Sequence, residues 1–222
     1  LMSGVLIKVG IYGIFRVCVA GLGPPPLAWG GLVLAVGAVS MVLGVLYALM
    51  QHDLKRLLAY SSVEQMGILA LATGLGAGAT FATLLHLVNN ALGKGALFLA
   101  VGNVHRAFGG KTTGEVRGAL RRLPVSGTIF LLSFFAVTGS PPFGLFVSEM
   151  LILKSVFAAH RWLVGGLFLA GLFVVFAGMG ATSLAALQGR PPASARASSY
   201  RDGFATAAPA LLLLGLVLLF GL

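Results

Sequence analysis

Five ionisable side chains lie inside long apolar runs of the sequence, away from the charged clusters that separate those runs. They are Lys8, Glu64, His86, Lys94 and Glu149. A Lys or Asp at the centre of a membrane-spanning helix costs about 2.5 to 3.5 kcal/mol on insertion scales, and such residues usually line a polar interior. Lysine, histidine and glutamate can all exchange protons. The set therefore predicts a proton path through a bundle of membrane helices.

The clearest spacing is in the fourth apolar run, where His86, Asn90 and Lys94 follow each other at intervals of four residues. Neighbours at this spacing share a helix face, and the outer pair is about 12 Å apart along the axis. That is too far for a direct hydrogen bond, so Asn90 and water would have to bridge them. This polar stripe of His86, Asn90 and Lys94 favours a proton relay over the alternative, a hydrogen-bond cluster between helices.

Lys8 and Glu64 each have a structural alternative. Lys8 would snorkel to the membrane interface if its helix were shifted, but its position within the first run favours a buried functional lysine. Glu64 follows Ser61 and Ser62, and a neighbouring serine would suffice to satisfy it. The sequence leaves Glu64 open between relay member and structural partner.

Glu149 follows the pair Pro141-Pro142 by seven residues, and Lys154 follows Glu149 by five. An interfacial Glu to Lys pair is the alternative, although this spacing is poor for a helical ion pair. A carboxylate beside a helix break with access to water is the favoured interpretation.

The remaining candidates predict no metal or cofactor site. His52, His105 and His160 lie at membrane edges or in loops without the spacing of a metal site. The one cysteine, Cys18, excludes a disulfide within the chain. No nucleotide-binding glycine motif and no Ser/His/Asp set is present.

The composition fixes the class of protein in which these side chains must be placed. Of 222 residues 58% are hydrophobic and 9% charged, against about 25% charged in soluble domains. The net charge of +10 would suggest nucleic acid in a soluble protein, but here the basic residues fall between apolar runs. We predict an integral membrane protein surrounded by lipid, with no nucleic-acid partner.

A helix needs about 20 apolar residues to cross the bilayer, and the chain divides under that rule into about seven transmembrane helices of one all-α membrane domain, residues 1–222. The predicted spans are residues 1–20, 27–50, 54–76, 80–104, 125–158, 162–187 and 204–222. The fifth, at about 51 Å as one straight helix, is too long for the bilayer. We expect it to break at Pro141-Pro142, since two prolines remove two backbone donors.

The loop charges predict the orientation. One side collects ten basic residues and the other has Arg16 and Arg161, with Lys154 near its edge. By the positive-inside rule the basic side is cytoplasmic, which places the C-terminus outside a multi-pass protein. The ten are Lys55, Arg56, Arg106, Lys111, Arg117, Arg121, Arg122, Arg190, Arg196 and Arg201. The abrupt start inside a span suggests the later part of a longer chain.

Three segments resemble the proton-translocating antiporter-like membrane subunits of respiratory complex I and its relatives, in the order and separation of that family. They are residues 52–62 (HDLKRLLAYSS), 86–99 (HLVNNALGKGALFL) and 139–149 (GSPPFGLFVSE). Within the family, residues 61–67 (SSVEQMG) and 141–149 most resemble the membrane subunit of hydrogenase-4 and formate hydrogenlyase complexes. The M-type and N-type subunits of complex I are the nearest competitors.

The resemblance implies a position in the family's fold, which has two inverted five-helix repeats, each with a broken helix. Residues 1–20 would end the first repeat, 27–187 would form the second, with 125–158 as its broken helix, and 204–222 would be the terminal helix. Lys8 would link two half-channels, His86 and Lys94 would belong to a polar axis, and Glu149 would exchange the final proton. Asn90 stands where many relatives have a second histidine.

The function implied is proton translocation through a Lys/His/Glu relay, in a subunit of an inner-membrane redox complex of the hydrogenase-4 type. Its partners would be other antiporter-like subunits and a peripheral redox module, with no redox catalysis and no cofactor in this chain. The alternatives are an M-type or N-type complex I subunit, a sodium/proton antiporter subunit, and a scaffold for a neighbouring pump. Charges 4 Å apart interact by about 4 kcal/mol at an effective dielectric of 20, enough for one site to switch proton binding at the next.

Overall fold

The computed structural model describes residues 5–17, 27–51, 53–110, 112, 115–190 and 200–222. Throughout these residues the regular structure is helical, which confirms the all-α prediction. His52, Cys18, Lys111, Arg196 and the turn at 23–26 lie outside the described residues. The helices are α1 (Ile7–Phe15), α2 (Leu27–Leu49), α3 (Leu54–Gly74), α4 (Thr80–Phe108), α5 (Ala119–Arg122), α6 (Pro124–Val137), α7 (Gly144–Ala158), α8 (Trp162–Leu187) and α9 (Phe204–Leu219).

Three helical segments are long and apolar enough to cross a membrane by length and composition. They are Trp29–Leu49, Gly76–Phe108 and Trp162–Leu187, and α6 and α9 are shorter apolar helices. The α3 helix has 21 residues but carries Lys55, Arg56 and Glu64, so it is less uniformly apolar. The count of seven spans stays a prediction, because the first predicted span is described only in part.

The fifth predicted span is broken, as the two prolines predict. The α6 helix ends at Val137 and α7 begins at Gly144. In between, the Thr138 hydroxyl donates to the Phe134 carbonyl at 2.9 Å, and Gly139 takes a left-handed φ of +65°. Proline has no N–H with which to continue the helix. The result is two half-helices that meet within the apolar part of the chain.

Helices α2 and α3 pack closely through glycines. A Cβ atom on Gly44 would lie 2.5 Å from the Glu64 backbone nitrogen, and one on Gly67 would meet the backbone of Met41. Small residues let helix backbones approach in membranes. Glycine at position 44 therefore fixes where the Glu64 backbone lies.

Replacing Gly44 by alanine is expected to destabilise the protein by about 1 to 3 kcal/mol, the usual cost of forcing extra volume into a packed interface. The added methyl group has only backbone to displace. The measurement is the thermal unfolding midpoint of the purified protein in detergent. Gly31→Ala is the matched control in the same helix, because a Cβ atom there meets nothing within 4 Å. Equal midpoints for the two variants would contradict the close packing at Gly44.

Two aspartates hold helix starts at the end of the bundle that carries most described basic loop residues. Asp53 accepts the Lys55 and Arg56 backbone N–H groups at 2.7 and 3.2 Å. Asp202 accepts the backbone N–H groups of Val125 and Ser126 at 3.0 and 3.1 Å. Carboxylates are favourable at helix N-termini. Both aspartates therefore have structural roles, and the cytoplasmic assignment of this end stays a prediction.

Candidate functional site

The five ionisable residues singled out from the sequence are all in the interior, each at most 3% exposed: Lys8, Glu64, His86, Lys94 and Glu149. Lys8 is therefore not a snorkelling lysine at the interface. Buried charges of this kind need partners, since removing an ion from water is costly. The partners come from α1, α3, α4 and α7.

His86 on α4 joins two other helices through its two ring nitrogens. Its Nε2 is 2.7 Å from Gln65 Oε1 on α3, and its Nδ1 is 2.9 Å from Ser148 Oγ on α7. Asn90, one turn further along α4, donates to the same Gln65 oxygen at 2.8 Å. His86 and Asn90 are therefore linked through the Gln65 side chain, and not by a direct hydrogen bond between the two within α4.

Lys94 extends from α4 to the first half of α3. Its Nζ donates to Ser61 Oγ and to the Leu58 carbonyl, the latter at 3.4 Å. Its charge also interacts with Glu64 and with Lys8. The Lys94 ammonium therefore lies within the electrostatic reach of an acid on α3 and of a base on α1.

Glu64 is not satisfied by a neighbouring serine, so that alternative is wrong. The hydroxyls of Ser61 and Ser62 donate instead to the Leu58 carbonyl, at 3.0 and 2.9 Å. Glu64 Oε1 accepts from Gln65 Nε2 at 3.4 Å. Its Oε2 is buried without a hydrogen-bond partner among the described residues. One carboxylate oxygen is thus available to a proton or a water molecule.

Glu149 lies on α7 beside the helix break, as expected. Its carboxyl group occupies the space that a Cβ atom on Gly139 would need, and it lies close to the Gln65 side chain and within electrostatic reach of Glu64. Its Oε1 has no hydrogen-bond partner in the described part of the chain. The break therefore provides the space for this buried acid.

A cavity of about 650 Å³ lies at the break on the side facing α9. Its lining includes Ser140, Pro141, Pro142 and Phe143, together with apolar side chains of α6 and α9. Glu149 is not among its lining residues. Water access to Glu149 therefore stays a prediction, and this largely apolar cavity does not supply it.

Replacing Gly139 by alanine is expected to lower proton translocation by roughly tenfold to a hundredfold, the scale of misplacing a reacting group by about 1 Å. Alanine would both take an unfavourable left-handed conformation and displace the Glu149 carboxyl group. Translocation is measured with a pH-sensitive dye in vesicles. Gly109→Ala is the control, because Gly109 has a similar φ of +71° but a Cβ there meets nothing within 4 Å. Comparable losses in both variants would mean that the strain alone matters.

Electrostatic interactions between charged side chains connect the buried ionisable groups into one continuous set. Lys8 acts on His86 and Lys94, Lys94 interacts with Glu64, and Glu64 with Glu149. Gln65 and Ser148 were missed as site residues in the sequence, although both occur in the motifs that carry the resemblance. The available signal was a second polar residue, Gln65, next to Glu64 within a long helical run.

The weaker candidates lie outside this set. His105 Nδ1 is 2.8 Å from the Gly110 carbonyl at the end of α4, and His160 is exposed in the turn before α8. Lys154 is exposed on α7. Among the described residues no group of three His, Cys, Asp or Glu side chains could hold a metal ion.

The family model described as NADH:quinone oxidoreductase/Mrp antiporter, transmembrane, matches residues 1–175. The chain belongs to this family. Among its relatives, hydrogenase-4 component B of Escherichia coli is 39% identical, over 77% of this chain and 28% of the relative. Formate hydrogenlyase subunit 3 of Escherichia coli is 35% identical, over 71% of this chain and 28% of its own length.

Two further comparisons extend the range of the family. A Na(+)/H(+) antiporter subunit of Bacillus subtilis is 33% identical, over 70% of this chain and 21% of the relative. Respiratory complex I from Thermus thermophilus contains a chain of the same fold, with a TM-score of 0.85 and 27% identity over 97% of this chain and 45% of that one. The chain spans about a third or less of the length of the curated relatives it matches.

Proposed function

We propose that this chain translocates protons across the membrane through a relay formed by Lys8, His86, Lys94, Glu64 and Glu149. The observation that carries the proposal is the continuous series of buried ionisable groups, from α1 through α3 and α4 to the broken helix. Buried ionisable residues inside membrane bundles characteristically mark proton and ion paths. A purely structural bundle would have no need for this many.

The electrostatic contacts support a mechanism of alternating proton affinity. A proton that arrives at or leaves one buried group changes the energy of charge on its neighbour, by about 4 kcal/mol for charges 4 Å apart at an effective dielectric of 20. Lys8 acts on Lys94, and Lys94 on Glu64. Glu64 acts in turn on Glu149 beside the break. Protons would therefore pass in steps, with each step altering the next site.

The chain would act within a membrane-bound redox complex of the hydrogenase-4 or formate hydrogenlyase type, beside other antiporter-like subunits and a peripheral redox module. The relatives named for hydrogenase-4 and formate hydrogenlyase support this choice. It would lie in the inner membrane with the basic loops cytoplasmic and the C-terminus outside. Purification through a tag on this chain, with mass spectrometry of every subunit, tests it. A nickel-iron hydrogenase subunit would support it, and NADH-oxidising flavoprotein subunits would replace it with the complex I alternative.

The second candidate is a sodium/proton antiporter subunit. The likeness to the Bacillus subtilis antiporter favours it, and so do the unpartnered carboxylate oxygens of Glu64 and Glu149 among the described residues, because hard cations bind oxygen ligands. Proteoliposomes that contain the purified complex separate the two candidates. Proton translocation that persists at full rate without sodium supports the proton relay. Proton movement that requires sodium, with matching uptake of radiolabelled sodium, would establish the antiporter.

A further inference from the structure

The Gln65 side-chain amide lies where α3, α4 and α7 meet, and it has four polar neighbours, of which Glu149 lies close by on α7. Its Oε1 accepts from Asn90 Nδ2 and contacts His86 Nε2, while its Nε2 donates to Glu64. An amide oxygen only accepts hydrogen bonds. With the amide in this position, the ring proton of a neutral His86 must therefore be on Nε2.

Ser148, on the other side of the imidazole ring, can serve either tautomer of His86. Its Oγ is 2.9 Å from His86 Nδ1 and 2.8 Å from the Leu145 carbonyl oxygen. A hydroxyl has one proton to donate. When Nδ1 is unprotonated, Ser148 donates to the ring. When Nδ1 carries the proton, the ring donates to Ser148 and Ser148 donates to Leu145.

A half-turn of the Gln65 amide exchanges its oxygen and nitrogen and gives a second arrangement. The Asn90 amide must turn with it, because its Nδ2 faces Gln65 in the first arrangement. Gln65 Nε2 then donates to His86 Nε2 and to Asn90 Oδ1, an atom that otherwise lacks a partner among the described residues. Gln65 Oε1 then faces Glu64 and needs a donor there. The protonated carboxyl group of Glu64 provides one. The other charged groups that face this pair are Lys94 on α4 and Glu149 on α7.

We propose that the Gln65 amide is a two-position switch that couples the protonation of Glu64 to the tautomer of His86. Ionised Glu64 accepts from Gln65 and holds the His86 proton on Nε2. Neutral Glu64 permits the second arrangement, which contains one more hydrogen bond because Ser148 then also donates to Leu145. Buried polar groups strongly favour the arrangement with more partners satisfied.

The proton count of the two arrangements is balanced. They differ by one proton, which is on Glu64. His86 is neutral in both, because the change of tautomer is a net transfer of its one ring proton from Nε2 to Nδ1, carried by water. Gln65 gains and loses no proton and acts as a positioning residue. The inference deepens the proposed relay, because a proton reaching Glu64 would change which side of His86 can accept the next one.

The test is solid-state nuclear magnetic resonance of the intact complex in lipid, with heavy-nitrogen-labelled histidine to report the tautomer. The His86 signal is assigned from its loss in His86→Asn. Glu64→Gln mimics the protonated acid, and we expect it to move the ring proton of His86 from Nε2 to Nδ1. Glu115→Gln is the control, because Glu115 is an exposed residue after the end of α4 and accepts the Thr112 N–H.

A second pair of variants tests whether Gln65 mediates the effect. In a Gln65→Leu background, which removes both amide atoms, Glu64→Gln is expected to leave the His86 tautomer unchanged. The same tautomer in the wild type and in Glu64→Gln would overturn the proposal even if Gln65→Leu does not assemble. The proposal would also be overturned if Glu64→Gln changed the His86 tautomer to the same extent in the Gln65→Leu background. The readout is independent of ion movement, so failure of the switch and failure of proton translocation are distinguishable.

Discussion

Replacing Lys94 by methionine is expected to lower proton translocation by about tenfold or more while leaving the complex assembled. Methionine approximates the length of the lysine side chain without a group that can bind a proton. Lys94 is completely buried and its charge interacts with both Glu64 and Lys8. Charges about 4 Å apart interact by about 4 kcal/mol at an effective dielectric of 20, which corresponds to about a thousandfold in proton binding. A tenfold loss therefore requires only a fraction of that effect.

The measurement for Lys94→Met is the initial rate of dye-reported acidification in inverted membrane vesicles, normalised to the amount of assembled complex. Lys154→Met is the matched control, since Lys154 is an exposed lysine on α7. We expect the control to pump at the wild-type rate. An unchanged rate in Lys94→Met would remove Lys94 from the relay. Equal losses in both variants would point to a general effect of removing positive charge.

Replacing Glu149 by glutamine is expected to have an effect of the same order, about tenfold or more. Glutamine fits the space beside Gly139 but cannot release a proton. Because the carboxyl group contacts the break and one of its oxygens has no described partner, the change should leave α6 and α7 in place. The expected result is a protein of normal thermal stability whose rate of proton translocation is lower by about tenfold or more.

Two further variants make the Glu149 result specific. Glu149→Asp keeps the carboxyl group on a shorter side chain and is expected to retain part of the rate. Glu115→Gln removes an exposed carboxylate outside the site and should have no effect. Translocation at the wild-type rate in Glu149→Gln would contradict the assignment of Glu149 as a proton-exchanging residue.

The broken helix and the buried ionisable residues could be predicted because each rests on a large local energy. Two adjacent prolines cannot continue a helix, and α6 accordingly ends at Val137 before them. Ionisable residues in apolar spans must face the protein interior, and Lys8, His86 and Lys94 are buried. These outcomes require no knowledge of which helices are neighbours.

The partners of the buried groups could not be predicted, because they depend on how the helices are rotated and how closely they approach. The contact of Gln65 with His86 needs α3 and α4 to present particular faces to each other. The close approach of α2 and α3 at Gly44 fixes the Glu64 backbone. The serine alternative for Glu64 was wrong for a related reason: serine hydroxyls in a helix often bond to a carbonyl four residues earlier, here that of Leu58.

The most direct test of the proton relay is the number of protons translocated per electron transferred by the purified complex in sodium-free proteoliposomes, for the wild type and for Lys94→Met. A relay through Lys94 predicts a lower ratio in the variant while uncoupled electron transfer continues at a comparable rate. An identical ratio in the two proteins would contradict a proton relay through Lys94.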